Sequence, residues 1–211
     1  CLASLIGKII AMGLALGPIS RFMTRSMYAL LQTRSAWCSL LELSVGAKTE
    51  LEFWAESLQD FNAQPIWYNP GVVRVVYSDA SSTGYGGYMV EHGMHIANGV
   101  WLPDEAKQSS TWRELVAVKR VLHAVADKLK CSHIRWFTDN QNVVRILTVG
   151  SGKCCLQDVA LQIFALCMSH AIHIQPEWVP REQNEIADYI SRIVTKVSEA
   201  LPLNNEKLLI I

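Results

Sequence analysis

The chain has 211 residues and a mass of 23.6 kDa, enough for one α/β domain with its own core and an additional segment. Half of its residues are hydrophobic and 18% are charged, which excludes a disordered or fibrous protein. Nineteen basic residues balance nineteen acidic ones, so the total carries none of the positive excess typical of nucleic-acid binders.

The charges are unevenly placed. Lys8, Arg21, Arg25 and Arg34 meet no acid before Glu42, and then Glu42, Glu50, Glu52, Glu56 and Asp60 face only Lys48. A basic head thus precedes an acidic helix. The six cysteines, Cys1, Cys38, Cys131, Cys154, Cys155 and Cys167, form no C-x-x-C pair, and without a secretory signal they read as reduced thiols, mostly in the core. The apolar stretch from Ile9 to Ile19 is interrupted by Gly13, Gly17 and Pro18 and is shorter than the roughly 20 residues of a bilayer span. No membrane anchor is expected, and the location reads as intracellular, in cytoplasm or nucleus. Because the chain opens on Cys1 and not methionine, it is expected to be a piece of a longer polypeptide or a fragmentary gene product.

Residues 1 to 64 read as helical, a small bundle with Phe22, Met23, Met27, Leu30 and Leu31 at three-to-four spacing. A second helical run passes through Leu51, Trp54, Leu58 and Phe61. Phe22, Met27 and Leu31 have no evident partner in so short a segment, so an exposed apolar face is expected there. Two prolines and a glycine between Gln64 and Gly71 break the pattern, so 65–71 reads as a linker. From Val72 the stretch up to Asp79 is rich in β-branched residues, and a glycine cluster at Gly84, Gly86 and Gly87 opens a second strand through Val90. His92 and Gly93 suit a hairpin turn into a third strand, Met94 to Trp101. Serine or threonine then caps a helix along Leu115, Val118, Leu122, Val125 and Leu129, running to about Lys130. A strand from Ile134 to Thr138 follows, then helices from Asn140 to Leu147 and from about Lys153 to His170. A last strand spans Ile172 to Val179, and a last helix Arg181 to Ile193; 194–211 is left as a tail. The order β-β-β-α-β-α-α-β-α predicts an α/β fold: a mixed five-stranded sheet, three antiparallel strands then two parallel, flanked by helices on both faces.

Asp79 and Asp139 close the first and fourth strands. If these strands are parallel neighbours, both carboxylates emerge where open α/β sheets bind ligands. Glu114 lies one turn before Val118 on the sheet-facing side of its helix and can lean over the sheet edge. Asp188 follows Ile186 and precedes Ile190, with Asn184 and Arg192 one turn to either side, so a fourth acid can reach the same mouth. Clustered carboxylates repel one another unless a cation sits among them, and oxygen ligands favour a hard ion such as Mg²⁺. Two such ions roughly 3.5 to 4 Å apart can activate water and stabilise a leaving 3′ oxygen in phosphodiester hydrolysis. Each acid alone has an ordinary reading as a turn residue, a helix-dipole partner or a solvated charge.

Four segments in order, YSDASSTGYGG (77–87), STWRELVAV (110–118), FTDNQNVV (137–144) and WVPREQNEIAD (178–188), resemble the signature segments of ribonuclease H domains of retroelement reverse transcriptases, most closely the DIRS-like group. The resemblance covers about 72–193 and implies a ribonuclease H-like fold that cuts the RNA strand of an RNA·DNA hybrid. Residues 1–64, with LASLIGKIIAMGLALGPISRFMTR and ELEFWAESL, resemble the thumb and connection that follow a polymerase palm, which implies an upstream reverse transcriptase polymerase domain as partner. The resemblance also implies Asp79, Glu114, Asp139 and Asp188 as catalytic metal ligands, with Asp79 bridging two Mg²⁺ ions, for which Mn²⁺ can substitute. It further implies substrate contacts from Ser81, Asn140, Gln141, Arg181 and Asn184. Gln141 would reach the minor groove, where 2′-hydroxyls separate RNA from DNA, and Asn184 would orient the last helix. One departure is the loop VPRE (179–182), which lacks the histidine many ribonucleases H carry there; two readings stand, that Arg181 contacts phosphate instead or that turnover is slower.

The remaining features read as structural. None of the six histidines has partners at zinc spacing. Trp101, Trp112, Trp136 and Trp178 are expected to pack, with Trp112 the best candidate for stacking on a base. Arg113, Lys119 and Arg120 read as solvated charges. Two other functions fit the same fold: a DNA-directed nuclease such as an integrase or junction resolvase, and a non-catalytic relic that holds nucleic acid.

Overall fold

The computed structural model describes residues 2–59, 73–91, 95–193 and 207–210. The expected linker 65–71, the His92–Gly93 turn and most of the tail after Ile193 lie outside the described residues. Two compact units are distinguished, Cys1–Asn69 with Val149–Gln157, and Pro70–Thr148 with Asp158–Ile211.

The first unit is helical: α1 (Leu2–Ala11), α2 (Gly13–Leu16), α3 (Ile19–Phe22), α4 (Arg25–Gln32) and α5 (Val45–Ser57). Gly17, at φ 71°, followed by Pro18, ends α2 and breaks the apolar run. The start of α4 has no side-chain cap of its own. Its first amides are taken by a residue from α5: the buried Glu50 carboxylate accepts from Ser26 N at 2.7 Å and Met27 N at 2.8 Å. Trp54, also on α5, donates its indole N–H to Met23 O at 2.6 Å. The expectation that Phe22 and Met27 lie on an exposed apolar face is overturned. Both are buried, with Met27 at 0% exposure where α4 packs on α5, while Leu31 is partly buried. The unit does expose other apolar side chains, Leu14, Trp37, Leu40 and Val45 most fully among the described residues.

The second unit contains β1 (Val73–Ala80), β2 (Gly84–Met89), β3 (His95–Val100), α6 (Pro103–Ala106), α7 (Ser110–Val125), β4 (His133–Thr138), most of α8 (Gln141–Val149) and of α9 (Cys154–Ser169), β5 (His173–Trp178), α10 (Glu185–Ser191) and β6 (Lys207–Ile210). The sheet order is β5-β4-β1-β2-β3-β6. β1, β2 and β3 are antiparallel, and β4 and β5 run parallel to β1, the mixed arrangement expected. β6, pairing antiparallel with β3, adds a sixth strand within what the sequence left as a tail. Pro176 is tolerated in β5 because that strand is at the sheet edge.

Ser109 caps α7, its hydroxyl accepting from Trp112 N at 3.3 Å. Leu115, Val118, Val121, Leu122 and Val125 of α7 are buried, packed on the first three strands. The helix ends at Val125 and tightens into a 3-10 turn to Leu129, slightly short of the expected Lys130. The last helix is also shorter than expected. Arg181–Gln183 form a 3-10 turn, Asn184 breaks the helical backbone, and α10 begins at Glu185. Neighbouring glycines on β2 show that α7 and α10 lie on opposite faces. A Cβ on Gly87 would meet Val121 of α7 at 2.7 Å, and one on Gly86 would meet Ser191 N of α10 at 2.4 Å. The glycine cluster therefore permits close helix approach on both sides. Of the described cysteines, Cys38, Cys131, Cys154 and Cys155 are exposed and only Cys167 is buried. The core reading holds for that one alone, because the others fall in loops or on outward helix positions.

Candidate active site

The parallel register aligns Tyr77 of β1 with Phe137 of β4, and two residues further on, where both strands end, stand Asp79 and Asp139. Glu114, on the first turns of α7, arrives from the opposite face. Carboxylate oxygens of Asp79, Glu114 and Asp139 all lie within 4.8 Å of one another. Asp188 lines the same polar cleft, with Ala80, Ser81, Ser82, Thr83, Arg181 and Arg192. It stands apart from the triad in its bonding: its Oδ1 accepts from Arg192 at 2.7 Å and Arg181 at 3.3 Å.

The three clustered acids hold their protons more tightly than ordinary carboxylates. Burial pushes Glu114 up to about 7, with repulsion from Asp139 and Asp79 adding to it and hydrogen bonds from Asn140 and Thr138 opposing. Asp79 is raised by burial and by the charges of Asp139 and Asp188, against a hydrogen bond from Ser191. Asp139 is raised by burial, with Arg181 opposing. Such a set is under electrostatic tension that a bound cation relieves. Three carboxylates at this separation suit a hard divalent ion, with oxygen as the only ligand atom offered.

The remaining expected residues fall in three positions. Ser81 lines the cleft, but its hydroxyl is engaged, donating to Ser191 O at 2.8 Å and accepting from Gly84 N at 3.0 Å. Asn140 donates to Glu114 Oε1 at 3.0 Å and accepts from Asn142 N at 2.9 Å, so it joins α8 to the site. Gln141 is the exposed first residue of α8. Asn184 is buried beneath the cleft and donates to Ser78 O at 3.1 Å, which ties the start of α10 to β1. Arg181 stands at the rim with its side chain 68% exposed.

Three tryptophans hold the strands that carry the acids. Trp136, fully buried, donates to Ser78 Oγ at 2.8 Å; Trp101 donates to Ser81 O at 3.1 Å; Trp178 donates to Asp139 O at 3.0 Å. Trp178 is 47% exposed, so the packing expectation holds for only about half of that residue. Arg113 and Arg120 are not merely solvated, as they read in the sequence. Arg113 donates to Ser81 O at 2.6 Å, and Arg120 pairs with Glu105 at 2.6 Å. Ser191 and Arg192 join the site without being among the residues the sequence points to. Arg192 had a signal, its place one turn after Asp188; a single hydroxyl in a helix gave none for Ser191.

A family model described as reverse transcriptase-like matches residues 75–194. The chain belongs to the reverse transcriptase-like family. Its matched part contains the mixed sheet and the acidic cluster described above. Among solved structures, this family member is similar to the RNase H1 of Halobacterium salinarum, at 20% identity over 57% of this chain and 95% of that one, TM-score 0.48. It is also similar to LC11-RNase H1, from compost metagenome, in complex with an RNA/DNA hybrid, at 18% identity over 56% of this chain and 93% of that one, TM-score 0.49. The protease-reverse transcriptase of prototype foamy virus is 16% identical over 86% of this chain and 24% of that one, TM-score 0.43. No protein of curated function matches the chain. Among the described residues, no helix is long and apolar enough to cross a membrane.

Proposed function

We propose that this chain carries the ribonuclease H of a retroelement reverse transcriptase, an endonuclease hydrolysing the RNA strand of RNA·DNA hybrids. The observation that carries the reading is the approach of Asp79, Glu114 and Asp139 to within 4.8 Å, on three different elements of a reverse transcriptase-like domain. These residues would hold divalent metal, Mg²⁺ with Mn²⁺ as substitute, and Asp188 serves as the fourth acid. Two bound ions would supply the Lewis acidity that generates a water nucleophile and offsets charge on the leaving oxygen.

The chain's own residues do the rest. Asp79 and Asp139, fixed at adjacent strand ends, set the position of the site. Asn140 and Thr138 orient Glu114 by hydrogen bonds at 3.0 and 3.4 Å. Arg181 and Arg192, held over the cleft by Asp188, stand where phosphate oxygens of a substrate would approach, and arginine suits planar, bidentate contact with them. Gln141, exposed at the start of α8, serves minor-groove contact with the hybrid. Ser81 and Asn184 act beneath the substrate, holding the cleft floor.

In the same reading, residues 1–64 are the thumb and connection remnant of a DIRS-like reverse transcriptase, 65–71 the linker and 72–193 the nuclease, partnered by an upstream polymerase domain. The experiment is cleavage of a labelled RNA·DNA hybrid in Mg²⁺ and in EDTA, with duplex RNA and duplex DNA as controls. The unaltered chain is compared with Asp139→Asn. Metal-dependent loss of the hybrid's RNA strand alone, reduced by at least about 100-fold in the variant, is expected. Cleavage of duplex DNA in preference to hybrid, or equal activity of the variant, would refute the assignment.

A further inference from the structure

The buried face of Asp79 is controlled by one side chain from the far end of the fold. Ser191, on the last turn of α10, places its hydroxyl 3.0 Å from Asp79 Oδ2 and 2.8 Å from the carbonyl oxygen of Asp188. Ser191 and Asp79 are 1% and 6% exposed, so water does not compete for these positions. A hydroxyl has one hydrogen to give, and both neighbouring atoms are acceptors. An ionised carboxylate is the stronger of the two, since hydrogen bonds to a charged acceptor are roughly twice as strong as neutral ones.

The hydroxyl is also held still. Ser191's own carbonyl accepts from Ser81 Oγ at 2.8 Å, and its amide lies so close to β2 that only a glycine at position 86 fits, a Cβ there falling 2.4 Å away. The serine cannot drift without undocking α10, so its rigidity passes to the carboxylate. Asp188 and Ser191 are three residues apart on one helix. The same turn therefore presents the fourth acid to the cleft and grips the first acid from below.

From this geometry we infer that Ser191 is a positioning residue. Its hydroxyl pins Asp79 by Oδ2, fixes the carboxylate plane and thereby sets the direction in which Asp79 offers its oxygens to a divalent cation. The inference rests on the metal-dependent reading of the site and adds to it a residue that never touches the metal or the substrate. Outer partners of metal ligands of this kind contribute through orientation, and their removal typically costs about 10- to 100-fold in metal affinity.

The test uses the full chain with Ser191→Ala and Ser191→Cys. The second keeps the shape but offers only a weak S–H donor. Mg²⁺ affinity is measured by calorimetry, Mn²⁺ affinity by the resonance signal of the free ion, and folding by circular dichroism and thermal midpoint. Both variants are expected to fold with melting midpoints near that of the unaltered chain and to bind either ion roughly 10-fold or more weakly. Hybrid cleavage should fall at low metal and recover as metal is raised, with KM for the hybrid unchanged. A folded Ser191→Ala that binds Mg²⁺ like the unaltered chain would overturn the inference. So would a Ser191→Cys with full affinity beside a Ser191→Ala without it, since the effect would then be packing. If the alanine variant does not fold, the cysteine variant decides alone. Metal binding without cleavage by the unaltered chain would sink the ribonuclease reading only, because the affinity ratio still judges Ser191. Absence of metal binding altogether would overturn both.

Discussion

Asn140 reaches from the start of α8 to donate its amide to Glu114 on α7 at 3.0 Å, and still leaves that carboxyl pushed up to about 7 by burial and by its acidic neighbours. Between its ordinary value and this one, the folded metal-free protein holds a proton that the unfolded chain releases. The stabilisation is fully present below the unfolded value of 4.5 and is lost as pH rises through about 7. Its size is on the order of 2 to 3 kcal/mol. Urea unfolding in EDTA across this range should show stability falling with pH. Glu114→Gln should flatten most of that slope, leaving the part owed to Asp79 and Asp139, which are raised as well. An unaltered slope in the variant would contradict the assignment.

Adding Mg²⁺ should reverse the trend. Binding requires the carboxylates deprotonated and therefore releases protons, so affinity should climb with pH up to about 7 and then level. Calorimetry in buffers of different ionisation enthalpy would register the released protons. Affinity that is independent of pH across this window would show that Glu114 is not a ligand.

Within the helical unit, Glu50→Ala should cost about 2 kcal/mol, because two amides at the start of α4 lose their acceptor in a buried place. Glu50→Gln retains one acceptor oxygen and should cost less. Chemical unfolding of the two variants would measure both; equal stability of Glu50→Ala and the unaltered chain would exclude the capping role.

One glycine tests the close approach of α10, and a second serves as a control. Gly86→Ala places a Cβ 2.4 Å from Ser191 N and 2.6 Å from the Ile190 carbonyl carbon, both backbone atoms that cannot yield without moving the helix. A loss of about 1 to 3 kcal/mol is expected, together with weakened metal binding. Gly7→Ala in α1 meets nothing within 4 Å and should stabilise by roughly 0.5 to 1 kcal/mol. Thermal unfolding of both would decide, and a harmless Gly86→Ala would mean that α10 is not docked as described.

Arg181 and Arg192 pair with Asp188 through side chains that are 68% and 55% exposed, and ion pairs of that kind contribute about 0 to 1 kcal/mol to stability. Their double replacement by alanine should leave the melting midpoint nearly unchanged. It should also weaken hybrid binding and shrink its salt dependence by about one unit of slope per lost phosphate contact. Binding titrations at several salt concentrations, with Ca²⁺ in place of Mg²⁺ to prevent cutting, would measure this. An unchanged slope would place the substrate elsewhere.

The strands were legible because their patterns are local: a β-branched run from Val72, a glycine cluster and an Asp at the end of each central strand. The approach of Asp79 to Asp139 follows from parallel pairing alone. What escaped is carried by contacts distant in sequence. Nothing around Glu50 says that its carboxylate caps a helix 23 residues earlier. Ser191 looks like any small polar residue until α10 is laid against Gly86. The break at Asn184 was hidden because Arg181 to Ile193 keeps a helical rhythm through it. Cys154 and Cys155 sit at the start of α9 with their side chains outward, where composition alone suggested a core. The helical unit takes in Val149–Gln157; Gln157 donates to Phe22 O at 3.0 Å, a pairing across 135 residues that no sequence window contains.

The half-exposed Trp178, bonded through its indole to the backbone oxygen of Asp139, gives the domain an optical reporter of its own. A cation captured by that aspartate would alter the field at the indole a few bonds away. Emission excited in the tryptophan band should therefore change with Mg²⁺, saturate with the same affinity as calorimetry, and lose the response in Trp178→Phe while the other tryptophans remain. Occupancy of the site could then be followed on the stopped-flow timescale, with no label and no substrate present.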